Sequence, residues 1–197
     1  ARMRPVEVLA PAPGQDPALH LFKAVPPRRR DRAAASEACF PLWGQYLPGG
    51  FLSHLQGKLF VRPGLPAPAQ LRIHNLRLAG VDNPAKAELA PLELGHLHAP
   101  DWESFAARLA YRRARGAYRA ELRPPAPDGP GLTLHQVLDE VEADGGAAGL
   151  RRFFEDLSRA TPELCDRLEQ RGLLRRHRID RAALRQRHFP DLDMPPA

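Results

Sequence analysis

Leu92-Glu93-Leu94-Gly95-His96-Leu97-His98-Ala99-Pro100-Asp101-Trp102 is the stretch on which the reading of this chain turns. Up to His98 the residues alternate with a period of two, so that Leu92, Leu94, His96 and His98 share one face of a strand and Glu93, Gly95 and Leu97 the other. Beyond Pro100 the period changes. Asp101 is a helix-capping residue, Ser104 falls in the first turn, and Trp102, Phe105, Ala106 and Leu109 recur at helical spacing. A sheet-bearing part, residues 1–100, therefore gives way here to a helical part, residues 101–197. The fold class is mixed α/β, with strands and helices segregated along the chain as α+β.

Working towards the N-terminus, Leu71–Leu78 reads as a half-buried strand with His74 on its polar face. Lys58–Arg62 reads as a strand closed by Pro63-Gly64, and Val6–Leu9 and Leu19–Val25 as short strands. Pro26-Pro27-Arg28-Arg29-Arg30-Asp31-Arg32 is a charged loop. Working towards the C-terminus, Arg108, Arg112, Arg115 and Arg119 fall on a second face of the helix that follows Asp101, ahead of a Pro/Gly loop at 124–131. Leu134, Val137, Leu138 and Val141 mark another helix, and Leu150, Phe153, Phe154 and Leu157 the next. Thr161-Pro162 opens a fourth that runs to Gly172, Ile179–His188 forms a weaker fifth, and the Pro-rich end frays.

The 197 residues suffice for one domain with a buried core. No apolar run reaches the length of about 18 residues that a transmembrane helix needs, and the start lacks a signal-peptide core, so the expected location is the cytoplasm. Two cysteines, Cys39 and Cys165, sit beside apolar neighbours and read as buried thiols in a reducing compartment; no zinc-finger spacing is present. The net charge is +6, carried almost wholly by arginine, with lysines at 23, 58 and 86, and it favours anionic partners.

The candidate chemistry is histidine. His54, His74, His96 and His98 fall within 45 positions. Two imidazoles at i and i+2 of a strand can share a metal ion, and Asp101 can add an oxygen ligand or orient a ring; equally, the pair reads as hydrogen-bonded histidines near a strand end. Around His54, Gly57 permits close backbone approach, and Lys58 or Arg62 can neutralise a phosphate, although the segment also reads as a plain turn before a strand. His74-Asn75 offers hydrogen bonds to a sugar hydroxyl or forms a surface pair. Ser53, His54 and Asp101 make no credible triad, because adjacent Ser and His side chains rarely aim at each other and the nucleophile-elbow motif is absent.

The strings Gly50-Phe51-Leu52-Ser53-His54-Leu55-Gln56-Gly57-Lys58-Leu59-Phe60-Val61-Arg62-Pro63-Gly64-Leu65, Leu71-Arg72-Ile73-His74-Asn75 and Gly95-His96-Leu97-His98-Ala99-Pro100-Asp101-Trp102 resemble bacterial family 2 glycosyltransferases. The helix Phe105–Arg119 and Gly149-Leu150-Arg151-Arg152-Phe153-Phe154 fit the same family, so the likeness spans roughly residues 40–175. It implies a GT-A type fold and transfer of a sugar from a nucleotide-sugar donor to a sugar or glycan acceptor. It also implies a divalent metal, Mn²⁺ or Mg²⁺, between the donor diphosphate and an Asp-x-Asp motif. Carried onto this chain, His96 or His98 is the late metal ligand. Lys58 and Arg62 face the donor phosphates, and His54, His74, Asn75 and Asp101 line the acceptor or substrate side. The family's Asp-x-Asp has no upstream counterpart; Asp191-Leu192-Asp193 has the letters but lies in the Pro-flanked tail. The expectation is an acceptor-side portion without its donor-binding half.

Two further readings remain. Arg108, Arg112, Arg115 and Arg119 with Tyr111 and Tyr118, joined by Arg167, Arg171, Arg175, Arg176 and Arg178, suggest a binder of nucleic acid or another anionic polymer. The helical part can also serve as a non-catalytic scaffold.

Overall fold

The computed structural model describes residues 1–65, 68–84, 87–121 and 131–190. Most of the Pro/Gly loop expected at 124–131, the Asp191-Leu192-Asp193 triplet and the rest of the expected frayed end lie outside the described residues.

The chain is mixed α+β. Strand β1 (Arg2–Val8) is the centre of the main sheet. It pairs antiparallel with β2 (Leu19–Lys23) through its C-terminal end and with β3 (Lys58–Leu59) through its N-terminal end. A hairpin unit of β4 (Ala69–Leu71), β5 (Leu76–Leu78) and β6 (Val81–Asp82) forms a separate small sheet. The long β7 (Glu88–His96) then returns parallel to β1 and ends with His96 opposite Glu7. A short helix α1 (Arg32–Cys39) connects β2 to the loop that precedes β3.

After β7 come α2 (Trp102–Ala114), α3 (Leu134–Ser158) and α4 (Pro162–Glu169). Their starts follow the expected chemistry. Asp101 accepts the Ser104 N–H at 2.6 Å, and Thr161 accepts the Leu164 N–H at 3.2 Å ahead of Pro162. Thr133 and Gln136 form a reciprocal capping box at the start of α3. The two apolar stripes read as separate helices lie on either side of a break in α3 at Gly146, whose φ of 56° and ψ of −146° are open to glycine. Beyond the break, Leu150, Phe153, Phe154 and Leu157 face inward and meet Phe105 of α2 and Trp43. Residues from Val6 to Leu174 join in one apolar cluster, so strands and helices share a core. Each large apolar side chain fully withdrawn from water there contributes about 1.5–3 kcal/mol.

Three sequence expectations need correction. Residues 101–197 are not wholly helical: β8 (Leu174–Arg178) runs antiparallel to β2, in register from Leu19 with Arg178 to Lys23 with Leu174. Leu174-Arg175-Arg176-His177-Arg178 carries no apolar alternation, as suits an edge strand held by its main chain. The stretch Leu71–Leu78 is not one strand. It turns over residues 72–75, where the Arg72 N–H donates to the Asn75 carbonyl at 2.8 Å, and Ile73 at the tip is 78% exposed. The expected strand at Lys58–Arg62 shortens to Lys58–Leu59. The weak fifth helix is present as α5 (Arg181–His188), capped by Asp180. Among the described residues no helix is long and apolar enough to cross a membrane.

Candidate functional site

Lys23, Glu7 and His96 lie in one lateral row across β2, β1 and β7. Register partners on neighbouring strands put their side chains on the same face, so the row fixes these three groups together. Glu7 and Lys23 are almost sealed from water, at 2% and 0% exposure, and their charges meet at 3.1 Å. Lys23 also donates to the carbonyls of Gly50 at 2.5 Å and Leu157 at 2.8 Å, which gives the ammonium three acceptors. Phe40 and Phe51 lie beside it, with ring centroids 5.5 and 5.9 Å away. Glu7 Oε1 accepts the Leu52 N–H at 2.9 Å. Burial raises the Glu7 carboxyl, but the Lys23 ammonium and the Leu52 N–H bring it below the usual carboxylate range. The Ser53 hydroxyl lies close enough to add to this lowering, and it and the second carboxylate oxygen, Oε2, are buried with no other hydrogen-bond partner among the described residues.

The residues after Leu52 fold back over β1, and Gly57 makes this possible. Its φ is +65°, and a Cβ there would lie 2.0 Å from the Met3 carbonyl oxygen. Close approach seats Lys58 opposite Met3 in the β1–β3 ladder. It also presents the Gly57 carbonyl to His74 Nδ1 at 2.9 Å. The His54 and His74 rings then lie 4.9 Å apart, tilted by 41°. Burial, then His74 and Lys58, pull His54 below the ordinary histidine value. Burial does the same to His96; Glu7 opposes it, while Lys58, Arg112 and His74 add to it. His54, His74, His96 and Lys58 thus act on one another, although they come from three separate stretches of chain.

The pair at i and i+2 behaves differently from its sequence reading. The His96 and His98 rings do meet, with centroids 5.2 Å apart, although His98 lies beyond the end of β7. His98 Nε2 is 2.8 Å from the Tyr118 hydroxyl, which also accepts from Arg112 at 3.3 Å. Arg112 donates in addition to the His98 carbonyl at 2.7 Å. Burial and the nearby cations lower His98 to about 4 against the pull of Glu7, so it is neutral at pH 7. Tyr118 can accept from Arg112 and donate to Nε2 at once, an assignment that puts the ring proton on Nδ1 and leaves no free nitrogen lone pair in that tautomer.

The other candidates separate. Asp101 is committed to its helix cap. Asn75 Oδ1 accepts from Arg2 at 3.3 Å and from Asn83 at 3.0 Å, so it braces the hairpin. Arg62 lines a different, largely apolar cleft of about 320 Å³ with Leu59, Phe60, Leu76 and Leu78. Among the described residues, no three His, Cys, Asp or Glu side chains converge as a metal-binding group. Among the described residues, with His98 engaged by Tyr118 and Asp101 capping α2, His96 remains placed to offer an imidazole to a divalent ion.

The arginines do not form a single free cationic face. Arg112 is 8% exposed and turned to Tyr118, and Arg113 beside it pairs with Asp139 and Glu142 of α3. Arg167 donates to the Cys39 carbonyl, while Arg175, Arg176 and Arg178 pair with Glu93, Glu169 and Asp16. Both cysteines are free thiols, and burial raises each above the ordinary value.

Sequence reasoning missed Glu7, Lys23 and the Arg112–Tyr118 brace. The signal for the first two was available: a lone acid in Val6-Glu7-Val8-Leu9 and a lone base in Leu21-Phe22-Lys23-Ala24-Val25. Opposite charges inside two apolar strands point to each other, since neither is tolerable there alone. No protein-family model, curated protein or solved structure matches this chain.

Proposed function

We propose that this chain is the acceptor-side portion of a glycosyltransferase-like enzyme, which moves a sugar from a nucleotide-sugar donor to a sugar or glycan acceptor. One observation supports it beyond the resemblance of the histidine-bearing strings. Glu7 and His96 end the parallel pair β1 and β7 side by side, and the charges of Lys58 and His74 act on His96 there. In open sheets, ligands bind beyond the carboxyl ends of parallel strands. In this reading His96 meets the donor's diphosphate, Lys58, His54 and His74 meet the acceptor, and His98 with Tyr118 and Arg112 holds His96 in place. Asn75 and Asp101 support the site through the hairpin and the α2 cap. A divalent ion enters this reading as a companion of the diphosphate, with His96 as the bond this chain offers it.

The test is saturation-transfer NMR with a panel of nucleotide sugars, each with and without Mn²⁺ or Mg²⁺. The expected result is saturation of both nucleotide and sugar protons for at least one donor, lost in His96→Ala. Absence of any signal at millimolar donor, with and without the ions, sinks the proposal.

A further inference from the structure

The geometry points to a phosphate site formed by His54, Lys58 and His74, with His96 at its edge, and we infer that the acceptor is a phosphorylated one. The word acceptor rests on the glycosyltransferase reading; the phosphate site does not.

The case begins with which groups are already engaged. Among the described residues, the side chains of Lys58 and His54 take part in no hydrogen bond or ion pair, and the His96 ring makes no hydrogen bond. His74 is fixed through one nitrogen alone, by its Nδ1–H to the Gly57 carbonyl. That bond leaves Nε2 with its lone pair. Arg2 is anchored beside them, donating to the His74 carbonyl at 3.2 Å and to Asn75 Oδ1 at 3.3 Å, and its buried Nε–H has no acceptor. The Lys58 ammonium and the His54 and His74 imidazoles are therefore gathered with donors to spare, and Lys58 and His74 act on His96. Glu7 acts on His96 but is paired with Lys23 at 3.1 Å, and Glu88, opposite Arg2 across the β1–β7 ladder, is paired with Arg4 at 3.1 Å. Arg112 adds further positive charge from α2.

Such a site repels a bare cation and attracts an anion. Phosphate fits it better than a planar carboxylate. Its tetrahedral oxygens can meet Lys58 and His54 from different directions. Its second ionisation lies near pH 6, so near neutral pH a fraction still carries a proton, which it can donate to His74 Nε2. Nothing in this recognition needs a metal. The Gly57 contact with β1 holds the loop, the hairpin and Lys58 in place before any ligand arrives.

The experiment is a titration of the whole chain with glucose 6-phosphate, inorganic phosphate and glucose, without divalent ions. Long-range ¹H–¹⁵N correlation reports on the imidazoles, and calorimetry gives the affinity. The expected result is that both phosphates, and not glucose, shift the His54 and His74 ring nitrogens, with glucose 6-phosphate the tighter. Lys58→Gln and His54→Gln each weaken binding by about tenfold, as loss of one charge-assisted contact should. Arg62→Gln, in the neighbouring cleft, leaves the affinity unchanged. Equal shifts with glucose, or parental affinity in both Lys58→Gln and His54→Gln, overturn the site. Tighter binding of inorganic phosphate than of glucose 6-phosphate overturns the phosphorylated acceptor and leaves a site for the free anion. If glucose 6-phosphate binds as expected while no nucleotide sugar binds with or without Mn²⁺, the phosphate site stands and the glycosyltransferase reading falls.

Discussion

The Glu7 carboxylate and the Lys23 ammonium meet at 3.1 Å inside the main sheet, and neither touches water. A buried ion pair adds little over a well-packed apolar pair, but breaking it leaves one charge stranded. Lys23→Met is therefore expected to cost about 3–5 kcal/mol, because Glu7 keeps its charge and loses its partner. The double variant Glu7→Leu with Lys23→Met should regain much of that loss. Urea unfolding of the parent and the two variants checks it; a double variant less stable than Lys23→Met refutes it.

Tyr118→Phe should lower stability by about 1–3 kcal/mol, since it leaves His98 Nε2 and one Arg112 donor buried without a partner. Arg112→Ala should cost at least as much, since it also frees the His98 carbonyl. Arg115→Ala, one turn further on, should stay within about 0.5 kcal/mol of the parent, as surface changes do. A stability scan of the three variants separates a structural arginine from a solvated one.

His98 gives the fold a pH dependence of definite sign. Its folded value, about 4, lies below the ordinary 6.5, so the unfolded chain takes up this proton first. Its contribution is complete above pH 6.5, falls as the pH drops towards 4, and is flat below that. The span is about 3 kcal/mol from this group. Glu7, Arg112, His96 and Lys23 all act on the ring, and Glu7 alone opposes the shift. Stability against pH for the parent and for His98→Gln should differ in slope between pH 4 and 6.5. Parallel curves there refute the assignment.

Gly57→Ala should dismantle the histidine cluster before it unfolds the protein. The added methyl would meet the Met3 carbonyl and force a left-handed backbone on alanine. The expected cost is about 2 kcal/mol or more. The ring-nitrogen signals of His54 and His74 should shift, while those of His98 hold. Unchanged His54 and His74 signals would show that the loop does not depend on this contact.

Much of this fold is legible in local chemistry. Asp101 and Thr161 announce helix starts because capping is decided by neighbouring residues. β1 and β2 are visible because their apolar runs are buried on both faces. β8 is not visible, since an edge strand of Leu and four basic residues is defined by its ladder to β2 rather than by its own pattern. The hairpin tip at Ile73 misleads because apolar alternation continues through a turn whose side chains face water. At the site, the nearness of His96 to His98 follows from strand period, but the engagement of His98 depends on Tyr118, twenty positions away. Asp101 could be read as a cap or as a ligand, and the geometry selects the cap. The row of Lys23, Glu7 and His96 is a matter of register between strands far apart in sequence, which no single segment encodes.

The pairing of β8 with β2 also sets an order of events. During synthesis β2 is made early, yet its outer edge is covered by residues 174–178, and Lys23 finds one of its carbonyl acceptors at Leu157, 134 positions later. Until that segment leaves the ribosome, the nascent chain carries an open strand edge and an ammonium short of an acceptor. Slow closure of such distant contacts exposes a chain to mispairing with its neighbours. Truncation before residue 174 should therefore yield aggregates rather than a smaller folded protein, and a chaperone that shields strand edges should improve the yield of the full chain.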